Sequence, residues 1–286
     1  MTLFAIWLEE PACLNIALVG GKVANLSRLA AAYRVPSGLC LTTTAYTQWN
    51  EHGEEWTAEL RDQLAAAYAT MAQRSSVEQP PVAVRSSAID EDGGDASFAG
   101  QYETYLNIVG VDAIADAVSR CWQATRSPQV LEYRRQNNLP VDDIKIAVLV
   151  QQMVPADVAG VAFSANPVNN NRNEIVINSS WGLGESVVGG TVSPDAFVVS
   201  KNDLQINETQ IAEKLRMTVS HATGTHEVAV PRFMRTQPTL DDHKTLEIAR
   251  LTIALEDEMG WPVDIEYAYH GDELYLLQCR PITTLD

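Results

Sequence analysis

Four polar residues near the carboxyl-terminal end of the chain have the types and spacing to bind a metal ion and a polyphosphate. Asp264 and Glu266 lie in one run of branched and aromatic residues, and Gln278 and Arg280 lie in the next. Such runs favour β-strands, and the polar break between them predicts a hairpin. Because side chains alternate along a strand, each pair projects from one face. Carboxylate and amide oxygens suit Mg²⁺, and a guanidinium fork suits phosphate.

The turn between the two strands decides whether the two pairs meet. A three-residue loop over residues 271–273 would place Glu266 opposite Gln278, and the other acid opposite Arg280. A two-residue turn would instead place Glu266 opposite Leu277, and the patch would scatter. On spacing alone, the solvated polar face of an ordinary hairpin is the simpler interpretation.

A long amphipathic helix is predicted immediately before the hairpin, over residues 240–259. Asp241 or Asp242 lies near its start and Gly260 follows its end, and these residue types are typical of helix termini. The helix delivers the chain into the hairpin.

A second candidate site lies near the amino terminus, at Gly20-Gly21-Lys22. The strand-like segment Leu18-Val19 precedes Gly20, and a helical pattern follows Lys22. Glycine lets backbone N–H groups approach an anion, and the helix dipole favours negative charge at a helix N-terminus. The sequence is not a Walker A loop, because the upstream glycine and the Ser or Thr after the lysine are absent. A phosphate cradle and a plain turn both stay open as interpretations.

Two further predicted strands end in polar residues. The strand over residues 82–84 ends in Arg85-Ser86-Ser87, before a glycine-rich acidic stretch over residues 89–101. This arrangement suits a clamp on phosphate oxygens, although composition alone favours an acidic surface loop. The apolar run over residues 144–150 predicts a buried strand. The segment Gln151 to Met153, just beyond it, could hold a planar base through backbone hydrogen bonds.

The composition is that of a globular protein of one large or two modest domains. The chain has 286 residues, of which 46% are hydrophobic and 20% charged, and its formal net charge is -17. This charge argues against a nucleic-acid partner and against an anionic membrane surface, since both require a basic footprint. An anionic ligand such as ATP would have to be met by local cations and backbone amides.

The cysteines and the amino terminus bear on the compartment. The four cysteines are far apart and form no C-x-x-C pair, so we expect buried free thiols rather than a zinc site or a redox motif. The amino terminus carries an acidic pair and no signal-peptide pattern, and no apolar run reaches the length of a membrane span. We therefore expect a soluble, cytoplasmic protein.

Six short motifs occur in an order that resembles one family, the ATP-binding domain of phosphoenolpyruvate synthase, pyruvate phosphate dikinase and rifampin phosphotransferase. The resemblance covers nearly the whole chain, and the motifs are specific as a set rather than singly. They are Gly20-Gly21-Lys22, Val84-Arg85-Ser86-Ser87-Ala88, Ser97-Phe98-Ala99-Gly100-Gln101, Gln151-Gln152-Met153, Gly182-Leu183-Gly184-Glu185, and Asp264-Ile265-Glu266 with Gln278-Cys279-Arg280-Pro281.

The resemblance implies an α+β, ATP-grasp-like fold in which ATP lies in the cleft between two lobes, residues 1–150 and 151–286. It also implies a role for each matched residue in binding ATP and Mg²⁺, with Lys22, Arg85 and Arg280 as the catalytic set. Lys22 and Arg85 would contact phosphates, Gly100 and Thr104 would lie in the covering loop, Gln151 and Met153 would border adenine, Glu266 and Gln278 would hold Mg²⁺, Asp264 would support the metal or the ribose, and Arg280 would stabilise the transferring phosphoryl group.

The family's activity implies partners that this sequence does not contain. Relatives usually continue into a swivelling domain whose histidine accepts the phosphoryl group, and then into an acceptor-substrate domain. None of the five histidines here lies in that family motif. The chain is thus expected to be the ATP-binding component of a dikinase-type phosphotransferase, which converts ATP to AMP and phosphate. It would act with a histidine-bearing domain or subunit, either as a split enzyme or as an excised domain.

Two other functions and one departure from the family pattern are weighed against this expectation. A non-catalytic ATP-sensing module is the alternative, and a carboxylate-amine ligase shares the fold but not the motif order. Residues 92–95 replace the Leu-Pro that relatives commonly carry, and their two glycines would loosen the covering loop.

Overall fold

The computed structural model of the chain describes residues 3–89, 104–136, 139–141, 144–222 and 224–285. The chain divides into two compact units, Met1–Met153 and Val154–Asp286. Each unit combines an antiparallel sheet with helices, so the predicted α+β class is confirmed.

The first unit is built on a five-stranded antiparallel sheet with a helix layer on each face. Its strand order is β1-β2-β5-β3-β4. The strands are β1 (Ala5–Trp7), β2 (Gly38–Leu41), β3 (Val82–Ala88), β4 (Thr104–Ile108) and β5 (Ile146–Gln152), and the helices are α1 (Ile16–Leu29), α2 (Thr43–Glu51), α3 (Ala58–Ser75), α4 (Val111–Ala124) and α5 (Pro128–Gln136). The predicted buried strand over residues 144–150 is thus present as β5, and it lies at the centre of the sheet.

The two faces of this sheet are covered by different helices. Val82 and Val84 of β3 belong to a core cluster with residues of α2, α3 and α4. Arg85 and Ser87 alternate with those residues and so point to the other face. The helix α1 packs on that other face, where the Val23 N–H donates to Ser87 Oγ at 3.3 Å.

The helix α1 corrects one expectation of the sequence analysis. Leu18 and Val19 are not a strand, because the Asn15 side chain caps a helical turn that already includes them. The helix is interrupted at Gly20, whose φ of 76° and ψ of 167° are non-helical. A second helical segment therefore begins at Gly21, with Lys22 in its first turn.

The second unit is built on a six-stranded antiparallel sheet with the order β13-β12-β6-β7-β8-β9, and a separate two-stranded ribbon, β10-β11. These strands are β6 (Val158–Phe163), β7 (Glu174–Trp181), β8 (Asp195–Ser200), β9 (Ile206–Gln210), β10 (Arg216–Ser220), β11 (Thr225–Ala229), β12 (Val263–His270) and β13 (Glu273–Pro281), with helices α6 (Glu185–Val188) and α7 (Asp242–Met259). The order places the terminal hairpin, β12-β13, at one edge of the sheet.

The predicted helix before the hairpin is confirmed as α7. Asp241 is its N-cap, since its side chain accepts from the Lys244 N–H at 2.8 Å, and Gly260 follows its last residue. The helix packs on β6, β7, β8 and β12. On β12, the Tyr269 hydroxyl donates to Glu247 Oε2 of α7 at 2.6 Å. Residues that alternate with Tyr269 therefore project from the opposite face of the sheet.

Candidate active site

The terminal hairpin brings its two polar pairs together, by a route that differs from the one considered above. The turn has two residues, Gly271 and Asp272, because His270 pairs with Glu273. A three-residue loop is therefore wrong. The two-residue turn does not scatter the patch, however, because the ladder shifts by one residue between Glu266 and its neighbour along β12.

A β-bulge at Leu277 causes this shift. Tyr267 pairs with Leu276, and Glu266 pairs with Gln278, so Leu277 is the extra residue of β13. Leu277 packs against a small cluster formed by Val154, Ala159 and Ala268. Bulges often redirect side chains beside functional sites. Here the bulge aligns Glu266 with Gln278, and Asp264 with Arg280.

The two pairs project from the face of the sheet opposite α7, since Asp264 and Glu266 alternate with Tyr269. Asp264 and Gln278 are buried, with 7% and 4% of their surface exposed. Arg280 retains 30% of its side-chain exposure. Asp264 Oδ2 accepts from Arg280 Nη2 at 2.7 Å and from Arg280 Nε at 2.8 Å. This two-point contact fixes the plane of the guanidinium and leaves part of it accessible.

The electrostatics of Asp264 combine opposing effects. Burial raises the pKa of its carboxyl above the ordinary value, the Arg280 guanidinium lowers it, and the nearby Glu266 raises it. Loss of hydration is the largest of these effects and outweighs the attraction of the arginine. Asp264 nonetheless holds the Arg280 guanidinium through the two hydrogen bonds described above.

Glu266 and Gln278 together offer oxygen ligands of the kind that suits Mg²⁺. Directly opposed residues of an antiparallel pair have Cβ atoms about 4.5–5.5 Å apart, so one carboxylate and one amide oxygen can converge on an ion. Across the described residues, no group of three or more His, Cys, Asp or Glu side chains could hold a metal. A cation here would therefore take the amide oxygen, with phosphate oxygens and water completing its shell, as Mg²⁺ commonly does.

In the first unit, Lys22 and Arg85 lie beside one another on the strand–helix contact. Lys22 Nζ donates to the Ser86 carbonyl at 3.0 Å, and Arg85 precedes that serine on β3. Arg85 is buried, with 9% of its surface exposed. Thr104 lies opposite Arg85 in the β3–β4 ladder, so the two share a face. The other residue of the expected covering loop, Gly100, lies outside the described residues, as do the motif over residues 97–101 and the variant loop over residues 92–95.

Gln151, near the end of β5, and Met153, just after it, are both held by hydrogen bonds, which limits the contacts they could make with a base. The Gln151 side chain donates to the Pro36 carbonyl at 3.3 Å. The Met153 N–H donates to the Pro81 carbonyl at 2.9 Å, and Met153 Sδ accepts from the Asn107 N–H at 3.1 Å. The N–H group of Met153 is thus already committed. The placement of adenine beside Gln151 and Met153 stays a prediction.

Sequence reasoning did not predict how Ser87 and Leu277 position these sites. The Val23 N–H in the second segment of α1 donates to Ser87 Oγ, and Leu277 sets the register of the hairpin. A signal for Leu277 was present, because Gly-Asp is a dipeptide typical of two-residue turns and would have required one extra residue to pair Glu266 with Gln278.

Comparison with known proteins identifies the family. Residues 52–286 match the profile of the pyruvate phosphate dikinase AMP/ATP-binding domain. The chain belongs to this family. It is 35% identical to phosphoenolpyruvate synthase of Pyrococcus furiosus, over 99% of this chain and 44% of that protein. It is 36% identical to rifampicin phosphotransferase of Streptomyces sviceus, over 99% of this chain and 36% of that protein.

These matches confirm the family resemblance and delimit it. The chain spans less than half the length of either relative. Among solved structures, a D-alanine–D-alanine ligase from Bacillus anthracis aligns with 93% of this chain and 57% of its own, at a TM-score of 0.41 and 7% identity. Within the described residues, no helix is both long and apolar enough to cross a bilayer.

Proposed function

We propose that this chain is the ATP-binding component of a dikinase-type phosphotransferase. It uses Mg·ATP to phosphorylate a histidine on a separate swivelling domain or subunit, which then passes the phosphoryl group to a small-molecule acceptor. The observation that carries the proposal is the hairpin register, in which Asp264 meets Arg280 and Glu266 meets Gln278 on one partly exposed face. Family membership supplies the chemistry to which this geometry is matched.

The proposed chemistry consists of positioning and charge stabilisation. The acceptor histidine forms a P–N bond to a phosphoryl group as the P–O bond to the nucleotide breaks. Conversion of ATP to AMP, phosphate and phosphohistidine also consumes one water. Arg280, oriented by Asp264, stabilises the negative charge of the transferring group, and Lys22 and Arg85 hold phosphate oxygens. Glu266 and Gln278 would hold Mg²⁺, which when bound neutralises phosphate charge.

The test is an assay of ATP conversion to AMP by the 286-residue chain, alone and with candidate histidine-bearing polypeptides. Isotopically labelled ATP should place label on a partner histidine and generate AMP in equal amount. The Arg280→Ala chain should do neither. Tight ATP binding with no AMP formed in the presence of any partner would indicate the alternative, a nucleotide-sensing module.

A binding measurement tests the metal pair separately. The chain should bind ATP weakly without Mg²⁺, because the Glu266 carboxylate repels bare polyphosphate, whereas the charge of Asp264 is already paired with Arg280. Titration calorimetry with and without Mg²⁺ measures the difference. Glu266→Gln should reduce it, because the repulsion is removed. Equal affinity for ATP under both conditions would contradict the metal assignment.

A further inference from the structure

The residue Asn178 of β7 lies in register with the proposed metal pair, on the same face of the sheet. Glu266 pairs with Val161 of β6, and Val161 pairs with Asn178. Directly opposed residues share a face, so the side chains of Gln278, Glu266, Val161 and Asn178 form one row. With strands about 4.8 Å apart, Asn178 is separated from Glu266 by about 10 Å.

Asn178 is an unusual residue for this position. Asparagine is depleted in strands, where branched and aromatic residues pack better. On this face Val161 and Val176 are apolar and half-buried, and Ser180, the next residue of β7 on the face, is small and buried. Within the part of the chain that the structure describes, the side-chain amide of half-buried Asn178 has no hydrogen-bond partner. A residue that disfavours its secondary structure and gains no stabilising contact in exchange is expected to serve a function.

On the opposite face of the sheet, the side chain of Tyr267 connects the strand of Glu266 to the strand of Asn178. Tyr267, directly after Glu266, is fully buried, and its hydroxyl donates to the Asn178 carbonyl at 3.4 Å. Its side chain crosses β6 at Gly160, where an added Cβ would lie 2.6 Å from the tyrosine hydroxyl and 2.0 Å from the Asn178 carbonyl oxygen. Tyr267 therefore bridges β12 and β7 across β6, and only a glycine at position 160 leaves room for its side chain.

We propose that Asn178 is a further ligand-contacting residue of the nucleotide site. This inference rests on the proposed function, which places Mg·ATP on the face that carries Glu266. The Asn178 amide donates to an oxygen of the extended nucleotide on the far side of Val161. Phosphoryl and ribose oxygens are both acceptors for an amide, and the test distinguishes them. Tyr267 and Gly160 are positioning residues, because they would affect the ligand only by holding Asn178 in position.

The deciding variant is Asn178→Val. A branched residue favours the strand, so the variant should fold with an unchanged or higher Tm. Its affinity for Mg·ATP should nonetheless fall by roughly tenfold to a hundredfold, as expected when a hydrogen bond to a charged or polar oxygen is lost. A purely structural asparagine predicts the reverse, a lower Tm with unchanged affinity. The control is Asn207→Val on the exposed edge strand β9, which should change neither quantity.

Binding measurements with three ligands identify the oxygen that Asn178 contacts. Comparison with a Glu266 variant separates this inference from the proposed function. An equal loss of affinity for Mg·ATP and Mg·tripolyphosphate assigns the contact to phosphoryl oxygens. A loss confined to Mg·ATP, and smaller for the 2′-deoxynucleotide, assigns it to the ribose. Tyr267→Phe should give a smaller loss of the same pattern. Unchanged affinity in Asn178→Val, with affinity lost in Glu266→Ala, would overturn this inference alone. Unchanged affinity in both variants would overturn the proposed function as well.

Discussion

The two polar sites, one in each unit, hold their charged groups in opposite ways. In the first unit, Lys22 contacts a neutral carbonyl of the strand that also carries Arg85, and a helical segment begins beside them. In the second unit, the charge of Arg280 is compensated by a neighbouring carboxylate, because Asp264 accepts two hydrogen bonds from it. The lysine of the first site thus meets a neutral oxygen, whereas the arginine of the hairpin meets a carboxylate.

This difference implies a division of labour. A lysine or arginine that contacts phosphate oxygens attracts a polyphosphate in its ground state, and so contributes mainly to affinity. A preoriented arginine whose charge is already compensated gains little from the ground state, but it can meet charge that develops during transfer. The comparison predicts affinity effects in the first unit and rate effects in the second.

The largest effect should come from Arg280→Ala. Transfer of the phosphoryl group to a partner histidine should fall by at least about a thousandfold, as for arginines that act on the transition state. Binding of Mg·ATP should stay within about tenfold, a difference of roughly 1.4 kcal/mol. Phosphohistidine detection and a binding titration on the same variant measure the two quantities.

Two further variants control this result. Arg280→Lys should rescue transfer poorly, because an ammonium cannot reproduce a planar fork. Arg216→Ala removes an exposed arginine of the ribbon in the same unit and should change nothing measurable. Unchanged transfer in Arg280→Ala would show that the hairpin patch is not the catalytic face.

The next largest effect concerns the stability of the first site. In Gly20→Ala, the new Cβ would lie 2.3 Å from the Ser87 carbonyl oxygen. The contact is with backbone and the φ is 76°, so the variant should lose about 2–4 kcal/mol of unfolding free energy. Gly53→Ala has a similar φ of 73° with no atom within 4 Å, and should lose only about 1 kcal/mol. Urea unfolding compares them, and equal losses would mean that close packing of α1 on β3 is unimportant.

The parts of this fold that depend on local pattern could be predicted from the sequence. Helix α7 follows from its periodicity, from Asp241 at its start and from Gly260 at its end. Strand β5 follows from a continuous apolar run. The helix and the strand are each set by residues that are neighbours along the chain. The four cysteines are all buried, as expected.

The features that the sequence analysis predicted wrongly depend at least in part on contacts distant in sequence. The pair Leu18-Val19 has strand-like residues, but the cap at Asn15 and the fit of Gly20 against Ser87 make the segment helical. The bulge at Leu277 similarly depends on a cluster that includes Val154, more than a hundred residues earlier. The pairing of Glu266 with Gln278 was one of two open alternatives, and the loop length proposed for it was wrong.

An intermediate effect is expected at the cations of the first unit. Lys22→Ala and Arg85→Ala should each weaken nucleotide binding by roughly 1.5–3 kcal/mol, the value of a charge-assisted hydrogen bond. Lys22→Met keeps the aliphatic stem and should match Lys22→Ala if the charge is what matters. Arg28→Ala, which removes an exposed charge from the same helix, is the control. Normal ATP binding or loss of fold in both site variants would make these residues structural.

The smallest effect is a pH dependence of stability. It shows whether burial or the ion pair with Arg280 has the larger influence on the pKa of Asp264. The pKa of Asp264 is raised from its ordinary 3.8, mainly by burial, although Arg280 opposes this. The folded chain therefore retains this proton at pH values where the unfolded chain has released it. The resulting stability is complete below pH 3.8 and is lost as the pH rises through the higher pKa of the folded state. Asp264→Asn cannot titrate, so the unfolding free energy of the native chain minus that of this variant should decrease as the pH rises above 3.8. Urea unfolding of both proteins over a series of pH values measures the change. A difference that grows with pH would mean that Arg280 lowers the pKa more than burial raises it. The ion pair would then stabilise the ground state, and Arg280 would have less of its charge available for the transferring phosphoryl group.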